Sequence, residues 1–343
     1  MPLSLPFPHV LETTKQLFRR LTTIPSREPR ISVGLDVGSS SIKVVALGAR
    51  KGAGPRPLLG HQLVPLETGQ DADASDPIRT AMTRLSVAHR AVNLSVSGQW
   101  VIMRIVEMPT MKPTEMHQAL PFEAQRYLPF NIQDVVIDGV VLGPADANKT
   151  WVLIVACKRE LLDRRIDWAK RAGVEVALID VDALALVNAF LASGQRTEGT
   201  RTLVNVGAQL TNLVIFQGAI PYLVRDIPWG GDKLFRNVAE QMGAEVNDVQ
   251  RELTQGAPNP DLLGAVKLAS EALVTELQLS FDYFENRFGQ PPEEVLVSGG
   301  MSQSGPFLEA MKSLLTQNVA AWMPAPDLSG QFAVAYGLAL RSN

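Results

Sequence analysis

An acidic residue followed by a glycine–serine turn is the first group in this sequence that could carry chemistry. Asp36 ends an alternating apolar segment, Gly38 and Ser39, Ser40 and Ser41 follow it, and Lys43 lies in the next apolar segment. Such a turn can direct backbone N–H groups and hydroxyls towards phosphate oxygens, while the carboxylate holds Mg²⁺ through water. The same residues would also form an ordinary hairpin. No GxxxxGK[ST] is present and no GxGxxG follows this strand, which excludes a P-loop.

Two further glycine turns could approach a phosphate or a nucleoside. One ends a buried apolar strand, and the absence of side chains there would let a base or sugar lie close to the backbone. The other opens a helix from about Leu234 to Met242. The candidate residues in these turns are Gly230, Gly231, Lys233, Gly299, Gly300 and Met301.

Strand pairs must position the first turn, and a similar pair recurs later in the chain. Ile31–Leu35 and Ile42–Leu47 have strand patterns around the first turn, and Thr202–Val206 and Asn212–Phe216 repeat that arrangement. The sequence therefore predicts an internal duplication, with two α/β halves that each open with a hairpin.

Composition restricts the class of protein. A chain of 343 residues with 46% hydrophobic and 20% charged residues is typical of a folded protein of more than one domain. The net charge of −3 gives no basic field for nucleic acid. The single Cys157 lies in an apolar run and is predicted to be a core residue, and the four histidines lack metal-ligand spacing. No apolar run reaches the length of a membrane helix, so we expect a cytoplasmic protein.

The order of these segments resembles the actin, Hsp70 and sugar-kinase superfamily. Asp36–Lys43 is similar to its phosphate-1 loop, Asn205–Asn212 to its phosphate-2 loop, Val297–Met301 to its adenosine loop and Asp180–Asp182 to its connecting motif. The resemblance implies an α/β actin-like ATPase fold of two RNase H-like halves, with ATP or ADP and Mg²⁺ in the cleft. It adds the nucleotide-binding candidates Asn205, Gly207, Gln209 and Thr211, and it makes Asp180 and Asp182 helpers of the metal-binding Asp36.

Within that superfamily the chain resembles the type IV pilus assembly family PilM, which is related to FtsA. The resemblance rests on Ala119–Phe130, Ile179–Asn188 and Arg225–Asp232, and it covers about residues 31–343. It implies an inserted small α/β subdomain whose Glu123, Tyr127 and Phe130 help to bind the cytoplasmic tail of a PilN-like inner-membrane protein. It also implies a ring or other homo-oligomer, located in the cytoplasm and peripheral at the inner membrane.

The same resemblance sets the expected domain boundaries. An N-terminal appendage with an amphipathic helix of about Val10–Leu21 would dock on a partner or lipid, or pack on its own domain. The expected divisions are the appendage at 1–30, subdomain 1A at 31–113, the inserted subdomain 1C at 114–185, domain 2 at 186–321, and a C-terminal helix at 322–343 that returns to subdomain 1A.

One position departs from the superfamily pattern. The phosphate-2 loop usually begins with aspartate, and here it begins with Asn205. An amide keeps an oxygen ligand but loses the charge that holds magnesium and orders water, so we expect hydrolysis to be slow or absent. Two alternatives remain: an active ATPase or kinase of this fold, and an FtsA-like filament protein. The chain ends directly after its expected last core helix, which favours the pilus scaffold over the filament.

Overall fold

Two five-stranded sheets with the same strand order build the body of the molecule. The computed structural model describes residues 31–50, 54–66, 73–88, 91–146, 148–195, 199–255, 259–289 and 291–341, so the predicted N-terminal helix lies outside the described residues. The first sheet has the order β3-β2-β1-β4-β8 and the second β11-β10-β9-β12-β13. In each sheet the first three strands are antiparallel, and the last two join in parallel. This identity of topology confirms the predicted duplication.

The strands of both sheets are short and largely apolar, as expected for strands covered on both faces. Those of the first sheet are β1 (Ile31–Val37), β2 (Ser41–Gly48), β3 (Leu58–Pro65), β4 (Ala91–Val96) and β8 (Glu175–Val181). Those of the second are β9 (Thr200–Val206), β10 (Thr211–Gln217), β11 (Ile220–Ile227), β12 (Glu294–Gly299) and β13 (Asn318–Ala321).

A third, three-stranded sheet forms a separate small unit. It comprises β5 (Val101–Pro109), β6 (Val135–Asp146) and β7 (Lys149–Lys158) in the order β5-β7-β6. Its own core includes Met116, Leu120 and Ile154. The predicted boundaries at 114 and 185 do not follow this pairing. Because β5 pairs with β7, and β8 pairs with β4 in the first sheet, the inserted unit runs from about residue 101 to 158.

Nine α-helices within the described ranges cover the sheets. They are α1 (Ser75–Leu85), α2 (Pro113–Ala124), α3 (Arg159–Arg171), α4 (Asp182–Ala192), α5 (Gly231–Met242), α6 (Val246–Gln255), α7 (Pro260–Phe288), α8 (Gly305–Leu314) and α9 (Ala333–Leu340). Helix α2 of the inserted unit begins with a proline in its first turn and ends at Ala124. None of these helices has the length and apolarity needed to cross a bilayer.

The C-terminal helix α9 packs tightly against the first half. A Cβ atom on Gly34 of β1 would lie 2.0 Å from the carbonyl oxygen of Ala335, and one on Gly337 would lie 1.8 Å from that of Ala185 in α4. Only glycine permits such close backbone approach. The end of α9 is held by Asn93, whose Nδ2 donates to the carbonyl oxygens of Leu338 and Arg341. Residues near the C-terminus thus complete the first core.

The two halves share apolar contacts through α4. Phe190 of this helix packs edge-on against Phe216 of β10 at 4.9 Å and lies 6.1 Å from the Trp322 ring. Cys157 is fully buried, as predicted, and burial raises the pKa of its thiol. The halves are therefore joined by core packing.

Candidate functional site

The first turn is a tight connection between β1 and β2. The N–H of Gly38 donates to the carbonyl oxygen of Ser41 over 3.2 Å. Asp36 and Lys43 are opposite each other in the ladder, and Lys43 Nζ lies 3.1 Å from Asp36 Oδ2. Ser40 is exposed at the tip of the turn. The predicted residues of this turn therefore lie together, with the charge of Asp36 balanced by a lysine on the adjacent strand.

The second turn, between β9 and β10, has the same closure. The N–H of Gly207 donates to the carbonyl oxygen of Leu210 over 2.9 Å. The carbonyl oxygens of Gly207 and Ala208 accept from the N–H groups of Gly231 and Asp232 in the first turn of α5. Because the loop already occupies these helix N–H groups, Gly231 acts as a support of the turn.

The remaining predicted residues around the second turn divide into buried and exposed ones. Thr211 is fully buried, and its hydroxyl donates to the carbonyl oxygen of Trp229 over 2.8 Å, so it supports the turn from behind. A Cβ atom on Gly230 would lie 2.5 Å from the carbonyl oxygen of Ala208, so this glycine permits a close backbone contact. Gln209 and Lys233 are exposed. Of the predicted residues around this turn, these two side chains are the most accessible to solvent.

The third glycine turn contains two glycines with different roles. Gly299 has φ +83°, and a Cβ atom there would lie 2.3 Å from the carbonyl oxygen of Val206. Gly300 begins the 3₁₀ turn Gly300–Gln303 and is exposed, and a Cβ atom added to it would meet nothing within 4 Å. Met301 is buried against Gly231. Gly299 is therefore needed by the fold, whereas the backbone surface at Gly300 is open.

A row of polar side chains crosses the second sheet below these turns. Ser298, Asn205, Asn212 and Asp226 are neighbours on four adjacent strands. Ser298 Oγ donates to Asn205 Oδ1 over 3.1 Å, and Asn205 Nδ2 donates to Asn212 Oδ1 over 3.0 Å. Asn212 Nδ2 then donates to Asp226 Oδ1 over 2.8 Å. The polar row therefore ends in an acid that the sequence analysis did not select.

Asp226 also contacts the first half. Its Oδ2 accepts a hydrogen bond of 2.6 Å from the N–H of Gly98, which lies between β4 and β5. Burial raises the pKa of Asp226, and the hydrogen bonds from Gly98 and Asn212 lower it. The strand register aligns Asp226 with Asn212 and, through it, with Asn205. Asp226 could have been found from this alignment, but the alignment is known only when the order of the strands is known.

Carboxylates from both halves come together around Asp182. Burial and, after it, the charges of Asp36 and Asp226 raise the pKa of Asp182 to about 6, against hydrogen bonds from Ser95 and Ser97 that lower it. Asp36 and Asp226 therefore each lie near enough to Asp182 for their charges to act on it. Lys43, already paired with Asp36, supplies positive charge on one side of the group.

Arg165 of α3 brings a second cation that the sequence analysis missed. Burial lowers the pKa of its guanidinium, and the nearby charges of Asp182 and Asp36 raise it. Its guanidinium also stacks on Trp168, 5.1 Å from the ring centre. Helix α3 contains none of the three acids Asp36, Asp182 and Asp226, so Arg165 comes near Asp36 and Asp182 only through the tertiary fold.

Asp180 lies away from this group. It is fully buried, and its Oδ2 is 3.1 Å from Arg341 Nε after the end of α9. Burial raises its pKa, while Arg341 and the N–H of Val181 lower it. The expectation that Asp180 assists Asp36 is wrong, since its side chain holds the C-terminal segment. Asp182, two residues further on, is the one near Asp36.

The predicted partner-binding residues lie in two places. Tyr127 packs on the core of the inserted unit and donates its hydroxyl to Glu123 Oε1 over 3.1 Å. Phe130 lies at the junction of this unit with the first half, with its ring centre 6.0 Å from that of Trp100. Lys158 Nζ is 3.9 Å from the Trp100 centre and 4.7 Å from that of Phe130. The junction is thus formed by two aromatic rings and one cation.

Comparison with known proteins gives one family and one fold. The family model described as type IV pilus assembly protein PilM matches residues 34–343. A solved PilM-PilN type IV pilus biogenesis complex contains a chain 23% identical to this one, with a TM-score of 0.80, covering 91% of this chain and 99% of that chain.

Two more distant structures share the architecture. The ethanolamine utilization protein EutJ from Carboxydothermus hydrogenoformans is 14% identical, with a TM-score of 0.56 over 96% of this chain and 98% of that chain. A Bacteroides thetaiotaomicron protein of unknown function is 9% identical, with a TM-score of 0.52 over 93% and 100% of the two chains, and is described as having an actin-like ATPase fold. The predicted fold class is confirmed.

Proposed function

Because the chain belongs to the PilM family of type IV pilus assembly proteins, we propose that it is a nucleotide-stabilised scaffold of the pilus inner-membrane assembly complex. It binds ATP or ADP with Mg²⁺ in the cleft between its halves and captures the cytoplasmic tail of a PilN-like membrane protein. It works in the cytoplasm, peripheral at the inner membrane, as a ring or other homo-oligomer. Hydrolysis is weak or absent.

The observation that carries the nucleotide proposal is the meeting of acids from both halves beneath two matching turns. Asp36 and Asp182 of the first half and Asp226 of the second interact electrostatically, which makes the cleft favourable for a cation. Within the described ranges no three His, Cys, Asp or Glu side chains form a direct metal cage. We therefore assign Asp36 a contact with Mg²⁺ through water, with the phosphates between the turns at Gly38 and Gly207.

The state of Asn205 supports the proposal of weak hydrolysis. Its amide oxygen accepts from Ser298 and its amide nitrogen donates to Asn212. A residue that orders an attacking water needs a free acceptor and benefits from negative charge. Asn205 has no charge, and both ends of its amide are engaged by neighbouring strands.

Calorimetry with ATP and Mg²⁺ tests the nucleotide proposal. We expect Gly300→Val to reduce affinity by about tenfold or more, because a side chain would occupy the open backbone surface. Gly305→Val is the matched control, since Gly305 is also exposed with no atom within 4 Å of an added Cβ. If the wild type and Gly300→Val are both folded and bind with equal affinity, the nucleotide does not contact this turn.

The junction around Phe130 supports the proposal of tail capture. In the described residues β5 and β6 each keep one edge without a strand partner, and an extended peptide can pair with such an edge. Trp100 and Phe130 offer apolar contact beside that unit, and Lys158 offers a charge between their rings. A groove here would lie between the inserted unit and the first half.

Fluorescence anisotropy with a labelled tail peptide tests this assignment. The peptide is the cytoplasmic tail of a PilN-like inner-membrane protein. We expect Phe130→Ala to weaken binding by about tenfold or more. Phe122→Ala is the matched control, because Phe122 is 77% exposed on α2 of the same unit. Equal loss in both variants, or none in Phe130→Ala, would contradict a site at the junction.

A further inference from the structure

The 29-residue helix α7 buries one side against the second half, and its other side is exposed in the part of the chain that the structure describes. Along the exposed side runs a stripe that we call the outer stripe, formed by Gly264, Leu268, Ala272, Thr275, Leu279 and Tyr283, all exposed. Leu268 and Leu279 are each 56% exposed, and Tyr283 is 49% exposed. At 1.5 Å per residue the stripe is about 28 Å long. Exposed leucines are ordinary when isolated, but a continuous line of apolar contacts indicates a surface for association.

The inner four residues of the outer stripe are symmetric in type, with leucine at both outer positions and a small residue at both inner ones. About a midpoint between Leu273 and Val274, Leu268 is the counterpart of Leu279, Ala272 of Thr275 and Gly264 of Tyr283. A twofold axis at that midpoint would place each residue opposite its counterpart in an antiparallel helix of a second copy. We propose that the outer stripe is a self-complementary surface on which two copies of this chain pair through α7.

The shapes of the counterparts agree with this pairing. Gly264 lies inside a helix, where glycine costs about 1 kcal/mol relative to alanine, yet a Cβ atom there would meet nothing within 4 Å. Among the residues that the structure describes, packing within the single chain therefore gives no reason for this glycine. In the pair it faces Tyr283, the largest residue of the stripe, and a small residue opposite a large one lets helices interdigitate. Ala272 and Thr275 at the centre let the two backbones approach.

The polar atoms of the stripe are satisfied within their own helix. The Thr275 hydroxyl donates to the carbonyl oxygen of Glu271 over 2.9 Å, and Arg287 donates to the Tyr283 hydroxyl over 2.6 Å. Pairing through this face would therefore leave these hydroxyls hydrogen-bonded.

Charges beside the stripe are compatible with a second copy. In the antiparallel arrangement Lys267 of one chain lies close to Asp282 of the other, and the axis generates this contact twice. Glu276, on the opposite flank, is already paired with Arg225 over 2.9 Å. The two Lys267–Asp282 contacts therefore favour a second copy as the partner, because one chain supplies both signs of charge.

Such a contact is small. A single helix pair buries less than the roughly 800 Å² per partner of a standard interface, so the pairing is weak in dilute solution. Covalent trapping is therefore the appropriate assay. Cys157 is buried, so cysteines introduced on the stripe react without interference from it.

Disulfide trapping of the purified full chain tests the proposal. Leu268→Cys and Leu279→Cys are oxidised separately and as an equimolar mixture. The antiparallel pair predicts a covalent dimer in the mixture, joining one chain of each variant, and only background in each variant alone. Leu59→Cys supplies that background, because Leu59 is similarly exposed, at 47%, on β3 of the other half.

A second substitution keeps the test independent of the cysteines. Gly264→Leu has room in the single chain, so it should fold normally while lowering the yield of trapped dimer roughly fivefold or more. A mixture that crosslinks no better than Leu59→Cys would overturn the proposal. So would equal crosslinking of each variant with itself, or full yield with Gly264→Leu in place. None of these outcomes depends on nucleotide or tail binding.

Discussion

Gly98 in the first half donates its backbone N–H to Asp226 in the second half over 2.6 Å. This hydrogen bond joins the connection between β4 and the inserted unit to the polar row that begins at Ser298. The acid that the phosphate-2 loop lacks at Asn205 therefore occurs two strands away in the same row. At that position the carboxylate accepts the hydrogen bond from Gly98 and also adds negative charge near Asp182.

Removing that acid should loosen the contact between the halves. We expect Asp226→Ala to lower the free energy of unfolding by about 1–2 kcal/mol, because the Gly98 N–H and the Asn212 amide each lose an acceptor. Urea denaturation measures the loss, and hydrogen exchange should show a less protected Gly98 amide. Asp327→Ala, at an exposed aspartate, is the control. An unchanged exchange rate at Gly98 would refute the role of this hydrogen bond.

Restoring aspartate in the phosphate-2 loop should conflict with the polar row. The side-chain oxygen of Asn212 accepts from Asn205, and its nitrogen donates to Asp226. The amide has one donor end, so it can donate to a carboxylate at position 205 or at position 226 but not to both. We expect Asn205→Asp alone to destabilise the protein by about 1–3 kcal/mol. Adding Asp226→Asn should recover at least half of this loss, because the Asn212 amide can then turn over.

A double-mutant cycle by urea denaturation measures that recovery. The control pairs Asn205→Asp with Asp327→Asn, for which the two effects should simply add. Additivity in both pairs would show that the row does not couple positions 205 and 226. If the single Asn205→Asp variant instead binds Mg²⁺-ATP more tightly, the metal compensates the added charge.

The raised pKa of Asp182 predicts a specific pH dependence. Its value is about 6 in the folded protein against 3.8 as reference, so between these values the folded state holds a proton that the unfolded state has lost. The contribution of this group to stability therefore falls as pH rises through about 6. We expect Asp182→Asn to be more stable than the wild type by about 1–3 kcal/mol at pH 7.

That difference between variant and wild type should shrink below pH 6 and disappear near the reference value of 3.8. Thermal and urea denaturation over this range measure it, with Asp327→Asn as the exposed control. A difference that stays constant with pH would show that the carboxyl group is not the cause.

Substitutions at the two glycines of the third turn should have different effects: the one at Gly299 on folding, and the one at Gly300 on nucleotide binding. Gly299→Ala would place a Cβ atom against the backbone of Val206 at a residue with φ +83°, so we expect a loss of several kcal/mol or failure to fold. Gly300→Ala meets nothing within 4 Å and should keep the wild-type melting temperature within a few degrees. A stable Gly299→Ala variant would contradict the observed packing. For this reason Gly299 is a poor probe of nucleotide binding, and Gly300 is a suitable one.

The sequence was sufficient for the features that depend on local pattern. Apolar alternation around Gly38 and Gly207 gave both hairpins, and their recurrence predicted the duplication that the matching strand orders confirm. The edge strand β3 (Leu58–Pro65), by contrast, was not predicted. Its side chains are mostly half-buried, so its sequence has no continuous apolar run.

Only the tertiary structure decided which side chains meet. The two acids of the connecting motif, two residues apart, reach different partners, because β8 directs Asp180 to Arg341 and the start of α4 brings Asp182 towards Asp36. Arg165 and Asp226 reach the same place from distant segments. Strand order and register set these contacts, and both arise from long-range packing that a linear pattern does not encode. The sequence thus determined the turns and the type of fold, while the fold determined which charges the turns enclose.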